Sequence, residues 1–307
     1  GRVSNGPACG ESWGGAVAQG VLTRTVRDSA SVLDCIAGYH PGDPYTAPAP
    51  AASFASAVAE APRRLKIAVS SKSPLGLPLS QDCAQALDNA VRKLLALGHH
   101  VEQVEPPISG DAVLEDYLNL YYGAVSSELD HWRQLLGGRD VDGLVEPATL
   151  LLKRMADRLP VSITERSRQR WHLYSSEMAR FLGTHDLFLL PSTAQPGWPV
   201  GSMKLNDAEN WAIRTLDKMV FSDMIFTRER LAKRSRRYVE MVPFTQLANL
   251  TGLPAMSVPM HVTGDGFPVG LQFIAPYGEE RLLISLASQI EGAFPWDNAL
   301  PKLLQSL

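Results

Sequence analysis

Two stretches near the C-terminus alternate apolar and polar residues with the two-residue period of a β-strand. They span residues 255–262 and 268–274, and the Asp265-Gly266 pair lies between them. Asp-Gly favours a tight hairpin because both residues accept positive φ angles. Pro259 has no N–H to donate to a neighbouring strand, so we predict that the first strand lies at a sheet edge or carries a bulge.

A second pattern predicts a strand, a helix and a strand in the first third of the chain. The apolar run 65–69 is typical of a buried strand, and residues 101–104 resume that pattern. Between them, apolar residues recur at helical spacing over 83–97, after the N-cap candidate Ser80 and before Gly98. A helix that joins two neighbouring strands predicts that the strands are parallel.

Helical spacing predicts most of the remaining chain. One helix is expected to begin at a Thr25 cap and to end at Gly38, and another buried strand is expected over 186–190. The other helical regions are residues 110–182, 206–237 and 279–291. The sequence therefore predicts the α/β class, with a mixed β-sheet covered by helices.

Composition and charge narrow the range of partners. The chain has 307 residues, of which 45% are hydrophobic and 20% charged, and its net charge is −3. These values are ordinary for a globular protein and give no general attraction to nucleic acid or to an anionic membrane. Three widely spaced cysteines without metal-ligand spacing fit a reducing compartment, so we expect a cytoplasmic protein without nucleic-acid or membrane partners.

Three motifs suggest chemistry that their surroundings do not support. Residues 10–14 fit G-x-S-x-G, but the sequence before Ser12 lacks the buried strand that a nucleophile elbow requires. Ser70, Ser71 and Lys72 have the residue types of a proton relay, yet neighbours on an extended chain point to opposite sides. The basic residues of 228–237 would spread around a helix, which indicates a solvated surface.

No metal site or cofactor is predicted. The seven histidines show neither an HExxH pattern nor i, i+4 pairing. The glycines at 264, 266 and 270 resemble a phosphate-binding loop only by their number, because the Lys-Ser/Thr of a P-loop is missing.

Two segments at opposite ends of the chain resemble one family. NLTGLPA at 249–255, followed by SVP at 257–259 and DGFPVGLQ at 265–272, is similar to the C-terminal hairpin of amidase signature enzymes. GRVSNGP and GVLTRTVRDSASVLD, within residues 1–50, resemble the part that directly follows the catalytic segment of that family. HPGDPYTAP, LALGHHVE and APYGEERLLISLASQIEGAFPW resemble the branch that contains 6-aminohexanoate-cyclic-dimer hydrolase.

The resemblance implies an amidase signature fold in which residues 1–307 form the C-terminal part of a single domain, incomplete at the N-terminus. Family members cleave amides with a neutral lysine, a cis-peptide serine and a nucleophilic serine, through an acyl-enzyme. All three would lie upstream of Gly1, so no catalytic residue is assigned here. We therefore expect the chain alone to be inactive, and we expect its unpaired strand edges to form a homodimer or to rearrange.

The same resemblance places a substrate pocket on this chain. It implies that Tyr121, Tyr122, Thr193, Trp198 and Asn249 bind a small or cyclic amide, the aromatic rings by apolar contact and the polar groups by hydrogen bonds. Two alternatives stay open: the amidase subunit of a tRNA-dependent amidotransferase, and a noncatalytic binding or scaffold remnant.

Overall fold

The computed structural model describes residues 1–7, 9–202, 204, 206–216, 236 and 239–296. Within these residues the chain is an α/β protein whose mixed sheet has the strand order β2-β1-β3-β5-β4, as the sequence predicts. The strands are β1 (Lys66–Val69), β2 (His100–Gln103), β3 (Leu187–Pro191), β4 (Ala255–Val262) and β5 (Pro268–Ile274). The helices are α1 (Val26–Ile36), α2 (Phe54–Ala57), α3 (Gln81–Ala96), α4 (Asp111–Leu135), α5 (Pro147–Asp157), α6 (Val161–Leu182), α7 (Asp207–Leu216), α8 (Gln246–Thr251) and α9 (Glu280–Ala293).

The first three strands form the parallel part of the sheet. β1 pairs in parallel with β2 on one side and with β3 on the other, so that Ile67 lies opposite both Val101 and Leu187. α3 connects β1 to β2 and begins at the predicted cap, where the Cys83 N–H donates to Ser80 Oγ over 3.3 Å. The predicted strand, helix and parallel strand are thus confirmed.

The C-terminal hairpin adds two antiparallel strands to this sheet. β5 pairs with β3, and β4 pairs only with β5, which makes β4 the edge strand among the described residues. The pairing register shifts between Pro259 and His261. Both predictions for Pro259, an edge position and a bulge, are confirmed.

The turn of this hairpin differs from the expected one. The Gly266 N–H donates to Thr263 O over 2.9 Å, and the Thr263 N–H donates to Phe267 O over 2.9 Å. Only Gly266 has a positive φ, of 87°, so the expectation that Asp265 shares this conformation is wrong. Three residues between the paired ends need a single left-handed position, which glycine supplies at the end of the loop.

One face of the sheet packs on four helices to form the main hydrophobic core. Side chains at alternate strand positions, such as Ile67, Leu189, Leu271 and Phe273, are buried there. They pack with apolar residues of α1, α2, α3 and α9. Each fully buried aliphatic side chain contributes about 1.5–3 kcal/mol, so this core supplies much of the stability of the sheet.

The described residues form two compact units. The first contains the described residues of 1–110, 172–197 and 242–296, and the second contains those of 111–171 and 198–241. The first unit holds the whole sheet. The assignment of residues 1–307 to a single amidase signature domain stays a prediction.

The second unit is helical, and buried polar contacts join its helices. Asp116 on α4 is fully buried and forms an ion pair with Arg170 on α6. Asn119 Nδ2 on α4 donates to Ser167 Oγ on α6 over 3.1 Å. A buried charge is tolerated because the guanidinium and the carboxylate satisfy each other.

Two segments differ from the sequence prediction or fall outside the structure. Residues 246–251, for which the sequence analysis gave no element, form the short helix α8, which ends at Gly252 with a φ of 69°. The sequence predicts one helix over 206–237. Within this range α7 covers residues 207–216, and residues 217–235, 237 and 238 lie outside the described residues. Most of the basic run at 228–237 lies there too. Among the helices described, none is long and apolar enough to cross a membrane.

Candidate functional site

Two serines from different strands meet above the sheet in the first unit. Ser192 follows β3 and Ser257 lies on β4, and their hydroxyl oxygens are 2.7 Å apart. β5 runs between these two strands, and Gly270 is the β5 residue beneath the contact. A Cβ atom on Gly270 would lie 2.6 Å from Ser257 Oγ and 3.2 Å from Ser192 Oγ. The hydroxyls therefore meet only because this strand position has no side chain.

The buried side-chain amide of Gln272 lies on the same face of β5, two residues after Gly270. Gln272 is opposite Leu190 on β3 and Ser257 on β4, and it is 5% exposed. Its Nε2 has no hydrogen-bond partner among the described residues. A buried donor without an acceptor costs about 1–3 kcal/mol, so the amide is suited to donating to a carbonyl oxygen. We call Ser192, Ser257, Gly270 and Gln272 the serine–glutamine patch.

Sequence reasoning missed this patch. Ser192 and Ser257 are 65 positions apart, and only the pairing of both strands with β5 brings them together. A glycine in the middle of a predicted strand was the available signal, because such a glycine often marks the close approach of another group.

Thr193 follows Ser192 and is half-buried in the first unit. Its hydroxyl donates to Gln195 O over 2.9 Å, which shapes the loop after β3. It also lies within hydrogen-bonding range of the buried Cys83 thiol. Burial raises the pKa of that thiol, while its hydrogen bonds with Ser80 and Thr193 act in the opposite direction. A role for Thr193 in substrate binding stays a prediction.

Asn249 lies on α8, also in the first unit, and contacts the N-terminal segment. Its Nδ2 donates to Ala16 O over 2.6 Å, although the residue as a whole is exposed. Ala16 is 4% exposed, so this hydrogen bond holds a buried backbone position close to α8. The amide is thus used for structure here, and its contact with a substrate stays a prediction.

Tyr121, Tyr122 and Trp198 belong to the second unit. Tyr122 is 2% exposed on α4, and the half-buried Tyr121 stacks on Tyr117 with 6.2 Å between ring centres. Burial raises the pKa of Tyr117 to about 12, with a smaller contribution from Tyr121. Trp198 is half-buried in the loop after residue 197. These contacts pack the helical unit, and substrate binding by the three residues stays a prediction.

Ser12 does not occupy a nucleophile elbow. The 3-10 turn Trp13–Gly15 follows it, and the described residues before it contribute only an isolated bridge between Val3 and Ala37. A nucleophile elbow needs a buried strand that leads into a sharp turn and then a helix. The structure thus agrees with the rejection of this motif.

Neither of two further hydroxyl groups has a base arranged to activate it. Lys72 is exposed and forms an ion pair with Glu105, while Ser70 is fully buried and its hydroxyl accepts from the Lys72 backbone N–H. The Thr184 hydroxyl is 3.1 Å from His185 Nδ1 but donates to Phe181 O over 2.9 Å. A relay needs the hydroxyl proton directed at a base.

One buried histidine, His99, serves local structure. His99 is buried, and its Nδ1 accepts from the Leu65 N–H over 3.2 Å while Nε2 lies 2.8 Å from Gln289 Oε1. Within the described part of the chain, no group of three or more His, Cys, Asp or Glu side chains has the arrangement of a metal site.

Comparison with known proteins identifies the family. The family model described as Amidase matches residues 1–284. The 6-aminohexanoate-cyclic-dimer hydrolase of Pseudomonas sp. (strain NK87) is 31% identical over 309 residues, covering 99% of this chain and 59% of the relative. The enzyme of the same name from Paenarthrobacter ureafaciens is 30% identical with the same coverage. The chain thus spans 59% of the length of these curated relatives.

Solved structures of related proteins also match this chain. A structure of 6-aminohexanoate cyclic dimer hydrolase matches with a TM-score of 0.81 and 30% identity, covering 99% of this chain and 61% of that one. A glutamyl-tRNA(Gln) amidotransferase subunit from Thermotoga maritima matches with a TM-score of 0.59 at 20% identity, covering 91% of this chain and 53% of that one. The latter likeness shows the fold alone. Because the family model covers most of the sequence, this chain belongs to the amidase signature family.

Proposed function

We propose that this chain is part of an amidase that hydrolyses small or cyclic carboxylic amides through an acyl-enzyme. The observation that carries the proposal is the identity of 31% and 30% to two 6-aminohexanoate-cyclic-dimer hydrolases, sustained over 99% of the chain. The alignment spans nearly the whole chain, so the similarity is not confined to one motif or one element.

The serine–glutamine patch supports the proposal chemically. An amide substrate offers one carbonyl acceptor and one N–H donor. Gln272 Nε2 is a buried donor without a partner among the described residues, and the hydroxyls of Ser192 and Ser257 can each donate or accept. These groups, with Thr193 and Asn249 of the same unit, form our proposed substrate-binding set in the first unit. Substrate binding by Tyr121, Tyr122 and Trp198 of the second unit is a separate proposal, which rests on the family resemblance.

A chimeric enzyme tests this proposal. Residues 1–307 would be joined to the part of the Pseudomonas hydrolase that this chain does not match, which the family resemblance expects at the N-terminus. Release of linear dimer from 6-aminohexanoate cyclic dimer would then be measured. We expect turnover in the chimera, because its second part then supplies the pocket walls. A chimera that gives the circular-dichroism spectrum and melting transition of the intact Pseudomonas enzyme, but cleaves neither the cyclic dimer nor any of a panel of linear amides, would contradict the proposal.

We also propose that the 307-residue chain has no amidase activity by itself. The resemblance assigns the lysine and both serines of the reaction to a segment that these residues do not match, and without them there is no nucleophile or base. The assay is hydrolysis of the same amides by the isolated chain. Turnover that a serine-directed fluorophosphonate abolishes would show that a nucleophile is present.

A further inference from the structure

We propose that the cavity between α3 and the end of β4 binds a small monocarboxylate. The cavity has a volume of about 290 Å³. Asn89, Arg92 and Lys93 line it from α3, and Met260, His261 and Val262 line it from β4. Because all six residues belong to the first unit, the site does not depend on the second. We call this group the α3–β4 cavity.

The bulge in β4 explains why this cavity is polar. Between Pro259 and His261 the strand register shifts, so Met260 has no partner on β5. Lys93 Nζ donates to the free Met260 carbonyl over 2.7 Å. A bulge leaves a backbone group unpaired and re-aims neighbouring side chains, and here it places a cation and an imidazole at the end of the edge strand.

Asn89 holds the other two polar groups in place. Its Nδ2 donates to His261 Nδ1 over 2.8 Å, and its Oδ1 accepts from the Arg92 guanidinium. Because Nδ1 accepts, the proton of the neutral ring is on Nε2, where it can be donated to a ligand. Burial lowers the pKa of His261 and nearby Lys93 lowers it further, while Asp82 acts in the opposite direction, so the ring is neutral near pH 7.

The charged and hydrogen-bonding groups of the cavity suit a monocarboxylate. Arg92 and Lys93 each contribute one positive charge, and neither forms an ion pair with a carboxylate in the described part of the chain. The Asp82 carboxylate, close enough to affect His261, offsets one of them. A planar guanidinium, an ammonium group and an imidazole donor match the two oxygens of a carboxylate, which a guanidinium can bind through two parallel hydrogen bonds. The nearby Asp82 and Asp88 carboxylates of α3 make the site less suited to a phosphate dianion.

The test follows the His261 ring by nitrogen-15 NMR of the histidine side chains, with the signal assigned by its loss in His261→Gln. Sodium hexanoate is the probe, and hexanamide and inorganic phosphate are the comparison ligands. We expect a saturable shift of the His261 signal with hexanoate and no saturable shift with hexanamide. Phosphate binding as tight as hexanoate binding, or a shift that never saturates, would overturn the proposal.

Variants locate the ligand. Arg92→Gln removes the exposed guanidinium and should weaken hexanoate binding about tenfold, the loss expected for one charged hydrogen-bonding group. Arg92→Lys keeps the positive charge but loses the planar guanidinium, so its affinity for hexanoate should lie between those of the parent and Arg92→Gln. Arg139→Gln, an exposed arginine outside the first unit, is the matched control and should bind as the parent does. Equal affinity in Arg92→Gln and Arg139→Gln, with unchanged histidine spectra before titration, would also overturn the proposal.

Discussion

Because glycine has no side chain, Gly270 leaves room for the contact between Ser192 and Ser257. Gly270→Ala would place a methyl group 2.6 Å from Ser257 Oγ, which must then rotate and lose its bond to Ser192. We expect the free energy of unfolding, measured by urea denaturation, to fall by about 1–3 kcal/mol. In the background of Ser257→Ala the same change should cost less, because the hydroxyl in the way is gone.

The control for this prediction is Gly264→Ala, in the hairpin loop. A Cβ atom there meets nothing within 4 Å, and the backbone of Gly264 does not have a positive φ. This change should leave the free energy of unfolding within about 0.5 kcal/mol of the parent. If Gly270→Ala and Ser257→Ala are additive, the two residues do not interact in the way described.

Tyr117 should make stability depend on pH in the alkaline range. Its pKa is about 10 in the unfolded chain, and burial raises it to about 12 in the folded protein. The half-buried phenol therefore favours folding fully below about pH 10, and this contribution is lost as the pH rises through about 12. The urea midpoint of Tyr117→Phe should fall less between pH 8 and pH 11 than that of the parent. Tyr39→Phe, at an exposed position, should behave as the parent does.

The structural roles of several individual residues could be predicted from the sequence, because each role depends only on residues a few positions away. The N-cap at Thr25, whose Oγ1 accepts from the Asp28 N–H over 3.1 Å, and the N-cap at Ser80 are of this kind. Pro259 predicted an edge position or a bulge, also from a local cause, because its nitrogen carries no hydrogen to donate. The serine–glutamine patch could not be predicted in this way, since it depends on which strands lie on either side of β5.

At the scale of elements, Asp186 joins the beginnings of two parallel strands. Its carboxylate accepts from the Lys66 N–H at the start of β1 over 2.7 Å and pairs with Arg63, while Asp186 itself directly precedes β3. Burial alone would raise the pKa of Asp186, but the hydrogen bonds from Arg63 and Lys66 hold it below the ordinary value. The carboxylate thus stabilises the register of β1 and β3.

Asp186→Asn tests this role. We expect it to lower the free energy of unfolding by about 1–3 kcal/mol at neutral pH, because the amide oxygen of asparagine is a weaker acceptor for the Lys66 N–H than the carboxylate is. The ion pair with Arg63 contributes less, because Arg63 is largely exposed. A group with a lowered folded pKa contributes stability above its unfolded pKa of about 4 and loses it as the pH falls through the folded value. The difference from the parent in urea midpoint should therefore shrink in acid. Asp265→Asn, in the exposed hairpin loop, should show neither effect.

The elements that sequence periodicity predicted are those long enough to show a period. Strands β4 and β5 have eight and seven residues, and the expected bounds agree with those observed. Helices α2 and α8 have four and six residues, too few for two helical turns of pattern, and neither was predicted. α8 also lies in a segment whose Gly252 and Pro254 indicate a turn, although here they mark the end of a helix.

At the scale of the whole molecule, the exposed edge of the sheet has the most direct consequence. β4 pairs only with β5 among the described residues, and Ala255, Ser257 and Pro259 are exposed along it. Ala275 N donates to Pro254 O over 3.0 Å, so in an antiparallel ladder the backbone groups of Ala255 and Ser257 point away from β5. An edge of this kind is a template for another strand.

We therefore expect the isolated 307-residue chain to form dimers through β4. Ala255→Lys should weaken this association, because a lysine must give up its hydration and repels the same lysine of a second copy. Gly264→Lys adds the same charge in the hairpin loop, off the edge, and is the matched control. Sedimentation velocity over a range of protein concentrations measures the effect. If both variants associate as the parent does, or if the parent stays a monomer, β4 is not the contact. If only Ala255→Lys becomes a monomer, the free edge of β4 is the surface through which the isolated chain associates.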